Sequence, residues 1–209
     1  MPNRESFSMH QMRKNKTQKE EAQGRVWQFI YEFRDSVVIE LKRKIDFIII
    51  YGSAVRGEFV PGKSDVDIII QVFKESERKN SEKIVTELFW KTVKNYPELG
   101  FEKSLSVSRH KKRNAVTQIL EKLEQSAFLY VPVFVFVKGE IDWKNGELHT
   151  DNPLIKIGQN LLVPQRSVFL RFKQEGRILY GRDIRKEMRI KLTIMDRLRL
   201  GLSPQLLSL

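Results

Sequence analysis

Residues 50–68 read IYGSAVRGEFVPGKSDVDI and join two short apolar runs, 47–51 and 66–72. Both runs consist almost wholly of β-branched and aromatic residues, which is typical of strands buried on both faces. The connection contains Pro61-Gly62 and is too short for a crossover helix. We therefore expect the two strands to lie side by side in one sheet.

The first half of this connection suits a phosphate group. Gly52 directly follows the strand and has no side chain, so backbone can approach a phosphate closely, and the Ser53 hydroxyl is a hydrogen-bond donor. Arg56 lies one helical turn further on and can offer a phosphate two parallel hydrogen bonds. An alternative is that Arg56 pairs with Glu58 or faces solvent.

The second half carries Asp65 and Asp67, separated by one residue. On a strand, residues at this spacing project from the same face. Two adjacent carboxylates repel each other unless a cation lies between them, and Mg²⁺ prefers such hard oxygen ligands. The pair is therefore predicted to hold magnesium.

Eleven residues separate Ser53 from Asp65, and the string resembles the Gly-Ser and Asp-x-Asp signature of the DNA polymerase β-type nucleotidyltransferase superfamily. The flanking Arg56-Gly57 and Pro61-Gly62 most closely resemble minimal nucleotidyltransferases and the head domain of archaeal-type CCA-adding enzymes. The resemblance implies Mg²⁺ as cofactor and a nucleoside triphosphate as substrate. It implies metal ligation and catalysis by Asp65 and Asp67, and nucleotide binding by Gly52, Ser53, Arg56 and Ser64.

Active members of that superfamily usually carry a third carboxylate on a later core strand. The run 130–137 is the expected place, but Pro132 occupies the position where relatives have aspartate. Glu140 and Asp142 follow shortly afterwards, and either becomes a candidate third ligand if the strand is longer or bent. The alternative is that both are exposed hairpin acids; Glu102 is a weaker candidate.

The rest of the chain predicts an α+β fold, a mixed-sheet core with N- and C-terminal helical extensions. We expect a basic disordered arm over 1–19, a nucleotidyltransferase domain over 20–182 and a basic amphipathic C-terminal segment over 183–209. Helical periodicity covers 20–44, 76–95, 112–127, 168–176 and 184–200, and strands are expected over 101–107 and, centrally, 128–137.

Composition limits the class of protein and its partners. The 209 residues carry a formal net charge of +12 and no cysteine, and no apolar run is long enough to span a bilayer or to serve as a signal peptide. We expect a cytoplasmic protein without membrane insertion. The charge favours RNA or another polyanion as a partner, although it could serve solubility alone.

Three functions remain open from the sequence. The preferred one is Mg²⁺-dependent transfer of a nucleoside monophosphate to a hydroxyl of RNA, protein or a small molecule. The second is a catalytically impaired module that binds nucleotide or RNA. The third is one part of a complex, because the amphipathic segments 20–43 and 184–200 offer surfaces to a helical partner protein, as in toxin–antitoxin pairs, or to a second copy.

Overall fold

A computed structural model describes residues 4–101, 133–149, 165–198 and 201 of the chain, with side chains from residue 17 onward. The α-helices are α1 (Arg4–Leu41), α2 (Ser53–Arg56), α3 (Glu75–Val93) and α4 (Gln165–Glu175). The strands are β1 (Ile45–Tyr51), β2 (Asp67–Val72), β3 (Val133–Val137), β4 (Ile141–Asp142), β5 (Glu147–Leu148) and β6 (Arg177–Gly181). Short 3-10 helices cover Pro97–Leu99 and Ile184–Lys186.

The main sheet has the order β3-β2-β1-β6. Strand β1 pairs antiparallel with both β2 and β6, whereas β2 and β3 are parallel. The predicted α+β fold with a mixed sheet is confirmed, and so is the prediction that the first two strands are neighbours. Among the described residues β3 is the last strand on its side of the sheet.

Alternate side chains of the strands serve two cores on opposite sides of the sheet. Ile48 and Ile50 pack with α1 and α3, whereas Phe47 and Ile49 pack with α4 and the β4–β5 hairpin. The predicted apolar stripe of α1 is confirmed, because all its members are buried: Val26, Phe29, Ile30, Phe33, Val37 and Leu41. A sheet covered on both faces explains the nearly continuous apolar runs.

Both termini differ from their sequence-based expectations. Helix α1 begins at Arg4, so the arm predicted to be disordered is helical, in keeping with its many Lys, Gln, Met and Arg residues, which are good helix formers. At the other end, residues 188–193 are not helical. Met188 and Ile190 are both buried in the core on the α4 side, and a spacing of two requires extended chain.

Some expectations concern parts of the chain outside the described residues. These are the strand over 102–107, the helix over 112–127, Glu102 and Pro132. The helices predicted over 76–95 and 168–176 correspond to α3 and α4 and are confirmed. Within the described part of the chain, no helix combines the length and apolarity needed to cross a bilayer.

Candidate nucleotide and metal site

The β1–β2 pairing brings the glycine turn and the aspartates together. Tyr51, the last residue of β1, is paired with Asp67, the first residue of β2. The next residue, Gly52, has a φ of 89° and lies so close that a Cβ placed there would be 2.7 Å from Oδ2 of Asp67. Glycine is therefore favoured at position 52 for two reasons: the backbone conformation has a positive φ, and the Asp67 carboxylate lies close to the Cα.

The two aspartates lack a cation that fully compensates their charge. Burial, together with the neighbouring charge of Asp65, raises the pKa of Asp67 to about 6, and the charge of Arg56 opposes part of this shift. Partial burial also raises the pKa of Asp65. Burial, assisted by Asp67, raises the pKa of the Tyr51 phenol as well. The site thus has a deficit of positive charge centred on Asp67.

The serines stabilise the loop that carries Asp65. The Ser53 hydroxyl donates to the backbone carbonyl of Asp65 at 3.3 Å, which links the start of α2 to the metal-binding segment. The Ser64 hydroxyl accepts the backbone N–H of Val60 at 3.0 Å. Both hydroxyls therefore bond to the backbone of the segment 60–65, which ends at Asp65.

A contact that the sequence did not predict anchors the same loop. The backbone N–H of Gly62 donates to the carbonyl of Leu99 at 2.9 Å. A Cβ at Gly100, whose φ is 67°, would lie 2.8 Å from both Cα and N of Gly62. The loop thus contacts the turn after α3 backbone to backbone, and this contact requires that residue 100 has no side chain. The Pro61-Gly62 pair indicated a turn but not its partner.

Arg56 lies at the edge of the site and has two acidic partners. Its Nε donates to Glu58 at 2.7 Å and its Nη1 donates to Glu175 at 2.7 Å. The alternative of pairing with Glu58 is therefore observed. A guanidinium has five N–H donors, so two such bonds leave three for a phosphate. Its charge still acts on Asp67 and lowers the pKa of that carboxyl.

Helix α4 contributes residues that sequence reasoning did not connect with the site. Its last residue, Glu175, is the second partner of Arg56, and Arg171 lies 3.5 Å from the same carboxylate. One turn earlier, the fully buried Phe172 meets the ring of Tyr51 edge-on, with the ring centroids 5.5 Å apart. Nothing in the local sequence of α4 points to residues 51 and 56.

The structure does not bring Glu140 or Asp142 to the aspartate pair. In the parallel register Val133 is opposite Ile68 and Val137 is opposite Val72, so β3 leads away from Asp67. Five strand residues span about 17 Å, and Glu140 lies beyond that. It accepts the Val137 N–H and pairs with Arg78.

Asp142 belongs to the β4–β5 hairpin turn. Its carboxylate accepts the backbone N–H groups of Lys144 and Asn145 and the Asn145 side-chain amide. These bonds outweigh the effect of burial and lower its pKa. The expectation that Glu140 or Asp142 is a third ligand therefore needs correction. Because β3 runs parallel to β2, the end of β3 lies at the opposite end of the strands from Asp67.

The side chains of Asp65 and Asp67 fit a hard divalent cation. They offer carboxylate oxygens alone, and the charge deficit at Asp67 is what a bound cation would neutralise. Across the described ranges, no group of three or more His, Cys, Asp or Glu side chains is arranged to hold a metal ion. Among the described residues, Asp65 and Asp67 would supply the protein ligands of such a cation, with substrate phosphate as a natural further ligand.

Part of the chain is similar to a known protein family. Residues 30–131, just under half of the chain, match the family model of the nucleotidyltransferase domain. No curated protein and no solved structure matches the chain. The matched segment contains β1, α2 and β2 with Gly52, Ser53 and both aspartates. This similarity supports nucleotidyl transfer from a nucleoside triphosphate as the general function and agrees with the resemblance to the polymerase β-type superfamily.

Proposed function

We propose that the protein transfers a nucleoside monophosphate from a nucleoside triphosphate to a hydroxyl acceptor in the presence of Mg²⁺. Asp65 and Asp67 are the metal ligands. Gly52, Ser53, Arg56 and Ser64 surround the triphosphate. The protein has a formal net charge of +12, so we expect a polyanionic acceptor, with RNA as the first choice.

One observation carries this proposal: the half-buried Asp67 carboxylate lies so close to Gly52 that a Cβ there would be 2.7 Å from its Oδ2. Burying a carboxylate beside a second one destabilises the metal-free fold. A structural role would not require this cost, because an apolar residue at position 67 would pack more favourably. Binding of a divalent cation offsets it, which supports a functional role for the pair.

The chemistry follows from these positions. The acceptor oxygen bonds to the α-phosphorus, the bond from that phosphorus to the bridging oxygen of the β-phosphate breaks, and pyrophosphate leaves as the hydroxyl proton is released. Magnesium, when bound, neutralises charge on the phosphates and lowers the pKa of the attacking hydroxyl. The Arg56 guanidinium orients the triphosphate by charge-assisted hydrogen bonds, and the glycine turn allows the phosphates to approach the backbone.

The direct test is incubation of purified protein with Mg²⁺ and each α-labelled nucleoside triphosphate, together with bulk RNA and protein. The matched control is the Asp65→Ala/Asp67→Ala double variant. Label transferred by the wild type and not by the control supports the proposal and reveals the acceptor class. Equal labelling by both proteins would refute it.

A second candidate function is a nucleotide- or RNA-binding module with little or no catalysis. It is favoured by the positions of Glu140 and Asp142, which lie away from the aspartates. Magnesium-dependent nucleotide binding without transfer to any acceptor would support this function over the first.

A further inference from the structure

Helix α4 lies outside residues 30–131, the segment that matches the nucleotidyltransferase domain, yet it contacts both halves of the candidate site. Phe172 meets Tyr51, the strand partner of Asp67, and Glu175 binds Arg56. We propose that Glu175 is a positioning residue that holds the Arg56 guanidinium beside the triphosphate, so that α4 completes the nucleotide site. This inference rests on the proposed function.

The geometry of the guanidinium supports a positioning role. Glu58 accepts from Nε and Glu175 accepts from Nη1, each at 2.7 Å. A guanidinium is planar, so fixing two of its nitrogens fixes the direction of the third. The remaining donors then point in a set direction, which favours recognition of phosphate oxygens by a fixed donor pair.

Of the two carboxylates, only Glu175 ties Arg56 to a rigid element. Glu58 follows Arg56 by two residues in the same loop and moves with it. Glu175 is 119 residues away from Arg56 in sequence and lies on α4. Phe172 of the same helix is 1% exposed and packs in the core on the α4 side of the sheet. Residue 56 ends a four-residue helix, followed by Gly57 at a φ of 72°, so the loop alone provides little rigidity.

Ordering a long arginine side chain costs about 1.5–2 kcal/mol of rotamer entropy. If that cost is met when the protein folds, it is not incurred again when the nucleotide binds, which strengthens binding. Glu175 therefore improves affinity without touching the ligand.

A second arginine keeps the cluster from repelling phosphate. Arg171 lies 3.5 Å from Glu175. It also acts on Glu58, whose pKa is lowered mainly by Arg56 and to a smaller degree by Arg171. Two guanidiniums thus balance the two glutamate carboxylates, and three donors of Arg56 remain for a phosphate.

The test is a double-mutant cycle on binding of each Mg²⁺-bound nucleoside triphosphate, measured by calorimetry. Glu175→Ala is expected to weaken binding by about 5- to 10-fold, the scale of one lost ordering contribution. Glu175→Gln retains an acceptor oxygen, so its affinity should lie between those of the wild type and Glu175→Ala. In an Arg56→Ala background, Glu175→Ala should have no further effect.

The chain offers a matched control in the ion pair of Arg78 with Glu140. Its side chains are 33% and 24% exposed, the same fractions as those of Arg56 and Glu175. Glu140→Ala removes a comparable pair at the far edge of the sheet, so it should leave nucleotide affinity unchanged. A side-chain NMR signal of Arg56 Nε–H that is slow to exchange in the wild type and fast in Glu175→Ala gives a readout independent of the nucleotide.

Unchanged or tighter binding by Glu175→Ala would overturn the positioning role, as would an equal loss in the Arg56→Ala background. If the wild type binds no nucleoside triphosphate, the proposed function fails and this inference fails with it. The two failures are distinguishable, because the first appears only in the variants and the second appears in the wild type.

Discussion

Two aspartates lie at opposite ends of the β1–β2 strand pair, and their pKa values are shifted in opposite directions. Asp46, near the start of β1, binds Arg182 and accepts the Gln71 side-chain amide at 2.8 Å. Burial alone would raise its pKa, but these partners outweigh burial and lower it. Asp67, at the start of β2, has burial and Asp65 acting together, and its pKa rises to about 6.

The two carboxylates differ in whether the fold supplies a countercharge. Asp46 has its countercharge within the fold, and its network continues from Gln71 to the Trp143 indole N–H at 2.7 Å. Asp67 has only the opposing influence of Arg56, which is shared with two glutamates. A carboxylate buried without its countercharge is one that a ligand is expected to complete.

The largest expected effect contrasts substitution of the two aspartates in catalysis. Asp67→Asn should reduce nucleotidyl transfer by at least about 10³-fold, because metal charge stabilisation contributes several kcal/mol to such reactions. Asp46→Asn, measured in the same labelling assay at a temperature where it is folded, should retain transfer. Full activity in Asp67→Asn would contradict the assignment of the metal site.

The pH dependence of stability should differ in sign between the two. The folded pKa of Asp67 is about 6 against an ordinary value of 3.8, so its contribution is present below pH 4 and is lost as the pH rises through 6. The loss is about 3 kcal/mol in the metal-free protein. Asp46, with a lowered pKa, contributes above its ordinary pKa and loses that contribution on acidification.

Urea unfolding in EDTA from pH 4 to pH 8 measures this difference. The Asp67→Asn variant should not show the decrease in the free energy of unfolding that the wild type shows between pH 4 and pH 6. It should be more stable than the wild type at pH 8. Magnesium should stabilise the wild type more at pH 8 than at pH 5, because protons compete for Asp67. A metal-induced shift of the melting temperature that is independent of pH would argue against Asp67 as a ligand.

Removal of the structural aspartate should affect stability. Asp46→Ala leaves the amide of the buried Gln71 without its acceptor and removes one of the two acidic partners described for Arg182, the other being Glu187. We expect a loss of about 2 kcal/mol in the free energy of unfolding. Magnesium affinity should remain at the wild-type value; a parallel loss of both would mean that the two ends of the strand pair are coupled.

The last prediction concerns the Gly62–Gly100 contact, which anchors the loop that carries Asp65. Gly100→Ala meets Gly62 backbone at 2.8 Å and should cost about 1–3 kcal/mol while weakening magnesium binding. Gly139 also has a positive φ, but a Cβ there meets nothing within 4 Å. Gly139→Ala therefore controls for backbone strain alone, and magnesium affinity reduced equally in both variants would dismiss the anchoring contact.

Much of the β1–β2 region could be predicted from the sequence because its determinants are local. The apolar runs, the glycine turn and the alternating aspartates each depend on residues within a few positions of one another. The stripe of α1 is likewise a local periodicity, and all its predicted members are buried. The length of α1 was underestimated because a polar, basic composition is shared by disordered arms and exposed helices.

Other features were decided by contacts between distant segments. The continuous helix predicted over 184–200 is absent between 188 and 193, where Met188 and Ile190 reach the core in extended chain. Glu140 and Asp142 were plausible ligands only while the direction of β3 was unknown, and the parallel register excludes them from the site.

The β1–β2 pair, the glycine turn and the two neighbouring aspartates could thus be predicted from local sequence. The pairing of Arg56 with Glu175, the contact of Gly62 with the turn after α3 and the position of α4 at the candidate site became visible only in the folded protein. The physical reason is range. Strand and turn preferences act between near neighbours, whereas the Arg56–Glu175 and Gly62–Gly100 contacts depend on how separate elements pack.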